Sequence, residues 1–199
     1  MNRRLLVLPV AYVATLMLWA GPHVAIPEAQ AKATGIITGH VRLTGPAPAN
    51  TIMRMGADPL CSKANAGKRL TQDVVLRSAD GGLANAFVDV QGTLPQTPTP
   101  SAPVTIDQRG CVFVPRVVGI RVGQTLRITN GDPTAHNVHS LSTKGNGFNV
   151  SQPKTGMVST FQIKSADILR IKCDIHPWMK AWVGVRDHPF FAVSAADGA

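Results

Sequence analysis

The sequence is poor in cysteine and in acidic residues, and it lacks the residue patterns on which most enzymes depend. Its 199 residues include three cysteines, and 11 acidic residues stand against 20 basic ones. We find no Ser/His/Asp arrangement, no pair of acids with an obvious shared cleft and no glycine-rich phosphate loop. These absences predict a protein that is not an enzyme.

The first 31 residues have the order of a secretory signal peptide. A cationic start precedes an apolar run over Leu5–Ala20, and small residues at Ala29 and Ala31 offer a cleavage site. The run has 16 residues and is interrupted by Pro9, whereas a spanning helix needs about 20. We predict cleavage after Ala31, a periplasmic or secreted location and no stable membrane insertion afterwards. An uncleaved anchor is the alternative.

Basic residues outnumber acidic ones, but they form no cluster after the first residues. Cleavage would remove two arginines and one glutamate and would lower the formal charge from +9 to +8. A basic surface can bind nucleic acid, but an exported protein rarely meets any. We therefore interpret the charge as favouring solubility and acidic partners or surfaces, and we expect no nucleic acid as a partner.

Sustained helical periodicity is absent from the predicted mature chain, whereas short strand-like runs are frequent. Short strands separated by glycine and proline turns predict an all-β sandwich or barrel. Seven runs in the second half have this composition: 104–108, 111–122, 124–129, 137–141, 157–163, 168–173 and 181–185.

The first half of the mature chain shows a weaker strand pattern. Ile36–Leu43 has strand composition, and the runs Asp73–Arg77 and Leu83–Val90 flank a turn at Ser78–Gly82, which predicts a hairpin. Leu94–Pro103 holds four prolines in ten residues, so it cannot lie inside a sheet and is expected to be an extended connector.

One short stretch, IKCDIHPWMKAWVGV, places Cys173, His176 and Met179 three residues apart. A thiolate, an imidazole and a thioether together favour copper over zinc, because structural zinc sites rarely use methionine. The three side chains lie on a predicted loop between two strands and could converge on one ion. A buried strand end with a chance run of these residues is the alternative.

A fourth ligand has to come from another part of the chain, and two histidines are available. His136 follows the Asp132-Pro133 turn, and His139 lies three residues further along the same predicted strand. An odd separation along a strand places two side chains on opposite faces. The two histidines should therefore not both bind one metal ion, and we expect His139 to be a polar residue beside the site.

Three cysteines in an oxidising compartment leave one without a cysteine partner. If a metal ion holds Cys173, then Cys61 and Cys111 can pair as a disulfide. The alternative is that Cys173 pairs with one of them and the other is free. Spacing alone does not decide between these pairings, and we favour the bond between Cys61 and Cys111.

The motif HNVH at 136–139, followed by CDIHPWM at 173–179, resembles the type 1 copper cupredoxins. The likeness is strongest to the amicyanin loop, which has the same Cys-x-x-His-x-x-Met spacing and a proline after the histidine. It covers about residues 104–185. It implies an all-β, cupredoxin-like Greek-key β-sandwich, to which this chain adds an N-terminal β segment.

By resemblance, one type 1 copper ion would be held by His136, Cys173, His176 and Met179. The chain would then comprise a signal peptide at 1–31, an extra β module with its connector at 35–103, a copper domain at 104–187 and a tail at 188–199.

The resemblance also assigns roles to residues that surround the ligands. Asn137 would tie the two ligand loops together by hydrogen bonds, and Pro177 would alter the hydrogen bonding of the ligand loop. The ring edge of His176 would reach the surface beside Pro177 and Trp178 and would serve as the port for electrons.

The implied function is a one-electron carrier between redox partners. Its partner would be a protein such as a c-type cytochrome or a dehydrogenase with an acidic docking surface, and contact would be transient. Two alternatives remain from the residues: a Cu(I) chaperone or copper-handling protein, and a β-sandwich binding module without metal, with Cys173 in a disulfide.

Overall fold

Two facing β-sheets are built from the chain after residue 103. The computed structural model describes residues 35–68, 71–72 and 76–199, so the predicted signal peptide lies outside the described residues. Within that described part, no helix has the length and apolar character needed to cross a membrane. The elements in chain order are β1 (Thr51–Ile52), α1 (Pro59–Ala64), β2 (Thr71–Gln72), β3 (Leu76–Arg77), β4 (Leu83–Ala84), β5 (Phe87–Asp89), β6 (Val104–Gln108), β7 (Phe113–Val114), β8 (Val117–Arg121), β9 (Thr125–Asn130), β10 (His136–Ser140), β11 (Phe148–Gln152), β12 (Val158–Gln162), β13 (Asp167–Lys172), β14 (Lys180–Arg186) and β15 (Phe191–Val193).

One sheet has the strand order β11-β10-β13-β14-β8, and the other has the order β12-β9-β6-β7. Most neighbours are antiparallel, while β14–β8 and β6–β9 are parallel pairs. The chain passes from one sheet to the other between β7 and β8, at the cis peptide bond that joins Val114 to Pro115. The predicted all-β sandwich is confirmed.

The core lies between the two sheets because the strands alternate buried and exposed residues. In β9 every second residue is buried, and Leu126 and Ile128 are fully buried against Leu169 and Ile171 of β13 and their neighbours. A strand with this period presents one face to the core. Each fully buried side chain of this size contributes about 1.5–3 kcal/mol through removal of apolar surface from water.

Most strands of the second half were predicted, but the first half differs from its prediction. The predicted strand at Ile36–Leu43 is wrong: no strand forms there, and Arg42 makes an isolated bridge with Gly82. Ile36 and Ile37 are exposed, so the apolar side chains that suggested a strand are not buried in a core. The predicted hairpin is present as β3 and β4, although residues 73–75 of its first arm lie outside the described residues.

The C-terminal residues pair with the first half of the chain. Strand β15 pairs with β5 in antiparallel register, and the Val41 amide donates to the Gly198 carbonyl at 2.8 Å. Residues 37–199 accordingly form one compact unit. The predicted segment boundaries at 103/104 and 187/188 stay predictions.

A pair of glycines provides the surface on which the paired strands β5 and β15 pack. Gly119 of β8 and Gly184 of β14 are register partners, and both point away from the core. The rings of Phe87 and Phe191, with centroids 5.6 Å apart, lie directly over them. The absence of a Cβ atom at Gly119 and at Gly184 therefore allows the aromatic pair to contact the sheet backbone.

We expect Gly184→Ala to lower the free energy of unfolding by about 1–3 kcal/mol, the usual cost of overpacking. A Cβ at residue 184 would lie 2.4 Å from the nearest Phe87 ring atom. Chemical denaturation measures the change. Gly39→Ala is the control, because a Cβ there meets nothing within 4 Å; equal stability of the two variants would contradict this packing.

Candidate metal centre

His136 begins β10 and points into the core, whereas His139 points out of it. His136 is fully buried, and His139 lies on the other face, where its Nδ1 is 2.9 Å from Asp174 Oδ2. The alternation of the strand thus separates the two histidines, as the odd spacing predicted. His139 does not belong to the cluster of donor atoms formed by His136.

The other predicted ligands lie on the loop between β13 and β14. The Met179 amide donates to the His176 carbonyl at 2.9 Å, and the Cys173 amide donates to the Met179 carbonyl at 3.3 Å. These two bonds close the loop on itself. Cys173, His176 and Met179 are all buried, with exposed fractions of 2% or less.

Three of the predicted ligands bring their donor atoms together. His136 Nδ1 lies 2.9 Å from His176 Nδ1, and Cys173 Sγ lies 3.8 Å from His176 Nδ1. The ligand atoms of these three residues are all within 4.8 Å of one another. Met179 is fully buried at the end of the same loop, and its role as the axial ligand stays a prediction.

Both imidazoles are oriented by carboxylates at their outer nitrogens. His136 Nε2 lies 3.0 Å from Asp132 Oδ2, and His176 Nε2 lies 2.9 Å from Asp58 Oδ2. A carboxylate only accepts a hydrogen bond, so each Nε2 carries the hydrogen and each Nδ1 is available as a ligand. Metal-bound histidines commonly have this arrangement, in which the second nitrogen donates to a carboxylate.

The surroundings of the Cys173 sulfur favour its negatively charged form. Its Sγ accepts from the amides of His176 at 3.4 Å and of Asn137 at 3.5 Å. Burial would raise the pKa of the Cys173 thiol, but His136 and these amides outweigh burial and lower it. Cys173 is also the free cysteine among the described residues, so its sulfur is available to a metal.

Asp132 is bound by the backbone as well as by His136. Its oxygens accept from the Gly110 amide at 2.6 Å and the Cys111 amide at 2.8 Å. Gly110 and Cys111 both have positive φ, of 66° and 57°. Their successive amides form a concavity of the kind that binds anions. Burial opposes the ionised form, but His136 and these amides lower the pKa of Asp132.

The charges of the pocket fit a cation. Burial opposes a charge on His136, yet Asp132 and Cys173 raise its pKa to about 9. Asp58 has its pKa lowered to about 2, mainly by the Cys61 amide, while burial opposes and His176 assists. Two carboxylates, two imidazoles and a thiol whose pKa is lowered form a set of donors that suits a soft metal ion.

Asn137 joins the two segments that carry the ligands. Its Nδ2 donates to Asp174 Oδ2 at 2.9 Å, and the Asp174 amide donates back to Asn137 Oδ1. The backbone amide of Asn137 meanwhile contacts the Cys173 sulfur. The resemblance implied bonds between ligand loops for Asn137, and its role beside a bound metal ion stays a prediction.

The N-terminal segment covers the site, which corrects one expectation. The predicted disulfide between Cys61 and Cys111 is present, with Cα atoms 5.6 Å apart, and Cys61 Sγ lies 3.7 Å from His176 Nε2. The resemblance predicted that the ring edge of His176 would reach the surface. This prediction is wrong, because His176 is 2% exposed. Trp178 is partly buried and donates to the Cys111 carbonyl at 2.9 Å, whereas Pro177 is exposed.

Sequence reasoning missed Asp58 and Asp132. Asp132 was visible only as part of a turn before proline. Asp58 stands before Pro59, which is a recognisable helix start, and it caps α1. No local spacing connects Asp58 to His176, because 118 residues separate them along the chain.

Comparison with solved structures finds copper proteins among the similar ones. A purple cupredoxin from Nitrosopumilus maritimus is 25% identical, with a TM-score of 0.37, and the match covers 41% of this chain and 98% of that one. A mutant amicyanin in its Cu(I) form is 20% identical, with a TM-score of 0.38 and coverage of 42% and 81%. A Cu-containing nitrite reductase from Thermus scotoductus SA-01 is 22% identical, with a TM-score of 0.42 and coverage of 51% and 26%. No protein-family model matches the chain, and no curated protein does.

The fold is cupredoxin-like. This assignment rests on the architecture of the molecule, which has two mixed sheets of five and four strands. Strand β7 belongs to the four-stranded sheet, and β8 belongs to the five-stranded sheet. The β13–β14 loop and the start of β10 bring a thiol and two imidazoles together inside that sandwich.

We expect Asp132→Asn to lower the unfolding free energy of the metal-free protein by about 3–5 kcal/mol at neutral pH, because it breaks a buried charged pair. The pKa of Asp132 is lowered by folding. Its contribution is therefore complete above the ordinary aspartate pKa and is lost as the pH falls through the lower native value. Urea denaturation at several pH values measures it.

Asp187→Asn is the matched control for the charge change, because Asp187 is an exposed carboxylate outside the metal centre. A difference between wild type and Asp132→Asn that is the same at every acid pH would contradict the assigned ion pair.

Proposed function

We propose that this chain is an exported protein that binds one copper ion and carries single electrons between redox partners. The observation that supports the proposal is the convergence of His136 Nδ1, His176 Nδ1 and Cys173 Sγ in a buried pocket. Copper, when bound there, would supply a couple between Cu(I) and Cu(II).

The residues would serve that couple by keeping the donor atoms in place. Each imidazole is fixed at its outer nitrogen, and the sulfur is fixed by two backbone amides. Little of the chain then has to move when charge arrives or leaves, which favours fast electron exchange. We assign the fourth, weak position to Met179, whose thioether suits a soft metal.

The exported location and the partner belong to the same proposal. A disulfide persists in an oxidising compartment, and the bond between Cys61 and Cys111 supports export. The net positive charge would steer the protein toward an acidic docking surface, on a partner such as a c-type cytochrome or a dehydrogenase. The proposed role is that of a carrier and not of an enzyme.

The two alternatives fit the structure less well. A copper chaperone has to release its ion to a partner, but α1 and the disulfide cover His176. A binding module without metal would leave unexplained why a free buried thiol and two imidazoles face one another. The electron carrier accounts for both observations.

We expect the purified mature protein to become intensely blue when Cu(II) is added, through charge transfer from the Cys173 thiolate. Cys173→Ala should abolish the colour, and His136→Ala should lose most of it. His139→Ala is the matched control and should leave the visible spectrum nearly unchanged, because His139 faces away from the cluster.

Two results would contradict the assignment. Loss of colour in His139→Ala with retention in His136→Ala would mean that the wrong histidine had been chosen. A protein that remains colourless with Cu(II) but takes up Cu(I) avidly would favour the chaperone.

A further inference from the structure

Asp58 is held in place by four hydrogen bonds, and one of them reaches a candidate ligand. As the N-cap of α1, its Oδ1 accepts from the amides of Leu60 at 2.8 Å and Cys61 at 3.0 Å. Its Oδ2 accepts from Thr134 Oγ1 at 3.0 Å and faces His176 Nε2 at 2.9 Å. The carboxylate therefore lies at a fixed point behind the imidazole.

The helix that carries Asp58 is itself attached to the sandwich. Cys61 in α1 is bonded to Cys111, and Asn65 Nδ2 donates both to the Cys61 carbonyl at 2.9 Å and to the Gly110 carbonyl at 3.0 Å. Neither Asp58 nor α1 belongs to the two sheets that carry the ligands. The segment before β6 thus delivers a negative charge to the site from outside the sandwich.

We propose that Asp58 is a positioning residue that fixes His176 with its Nδ1 toward the metal and lowers the reduction potential of the bound copper. The inference depends on the proposed function and assigns a role in it to the segment before β6. A carboxylate behind a ligand imidazole makes the ring a stronger donor. It also stabilises the more positive metal state, because an anion at close range in a buried site is poorly screened.

Asp58→Asn separates this role from the capping of α1. Asparagine is as good an N-cap as aspartate, so α1 should remain in place while the negative charge is lost. We expect Cu(II) binding to weaken by about tenfold to a hundredfold relative to Cu(I), the usual effect of removing such a partner. For a one-electron couple, a tenfold change corresponds to about 59 mV, here toward a higher potential.

Asp80→Asn is the control, since it removes the same charge from the turn between β3 and β4, where Asp80 pairs with Ser78. Its potential should equal that of the wild type. A readout without copper comes from the ¹⁵N NMR signals of His176, which should show hydrogen on Nε2 in the wild type and a shifted tautomer balance in Asp58→Asn. Asp58→Ser, another good N-cap, replaces Asp58→Asn if that variant does not fold.

The outcomes separate the two proposals. If the wild type binds no copper, the proposed function fails and the role of Asp58 fails with it. If the wild type is blue but Asp58→Asn has the potential and the His176 NMR signals of Asp80→Asn, the proposed function stands and the role of Asp58 is overturned. A raised potential together with an altered tautomer balance supports it.

Discussion

The site depends on one constraint: two imidazoles are held with their Nδ1 atoms 2.9 Å apart and facing inward. Two nitrogens that both present a lone pair would repel each other at this distance. A proton shared by the two nitrogens, or a metal ion bound by both, would relieve that repulsion. The surroundings impose the arrangement because the opposite nitrogen of each ring is bound to a carboxylate. Cys173 then completes a pocket lined by two carboxylates, two imidazoles and a thiol whose pKa is lowered. Such a pocket is costly when empty of cations and favourable when it holds one.

The two carboxylates reach the site by different routes, and only Asp132 belongs to the sandwich. Asp132 follows β9 and is bound by the amides of residues 110 and 111, so it belongs to the sandwich. Asp58 arrives on α1, which a disulfide joins to the same residue 111. The loop at residues 110 and 111 therefore has two roles. Its amides bind Asp132, and the disulfide of Cys111 anchors the helix that Asp58 caps. The orientations of both histidines are coupled through that loop.

Most strands of the sandwich could be predicted from sequence because local patterns encode them. Alternation identified β9, and the odd spacing within HNVH separated His136 from His139. The resemblance to the cupredoxins named the candidate ligands, but nothing in the sequence connected Asp58 or Asp132 to them. The added segment could not be predicted in the same way. Helix α1 has six residues, too few for a periodic signal, and the strands β1 to β4 have two each. What holds this segment in place is a disulfide and contacts across 50 to 118 residues, which no local pattern reports.

For the proposed electron carrier, the cover over His176 would change where electrons enter or leave. An exposed ring edge would have offered a direct contact, but Asp58 and the disulfide occupy that position. The exposed residues of the ligand loop are Asp174, Ile175, which is 51% exposed, and Pro177. Ile175 and Pro177 are apolar and flank His176 in sequence, so a partner docking on them would meet aliphatic surface one residue away from the candidate ligand. In the proposed carrier, exchange through that surface would cross a short distance, while the buried imidazole would keep its hydrogen bond to Asp58.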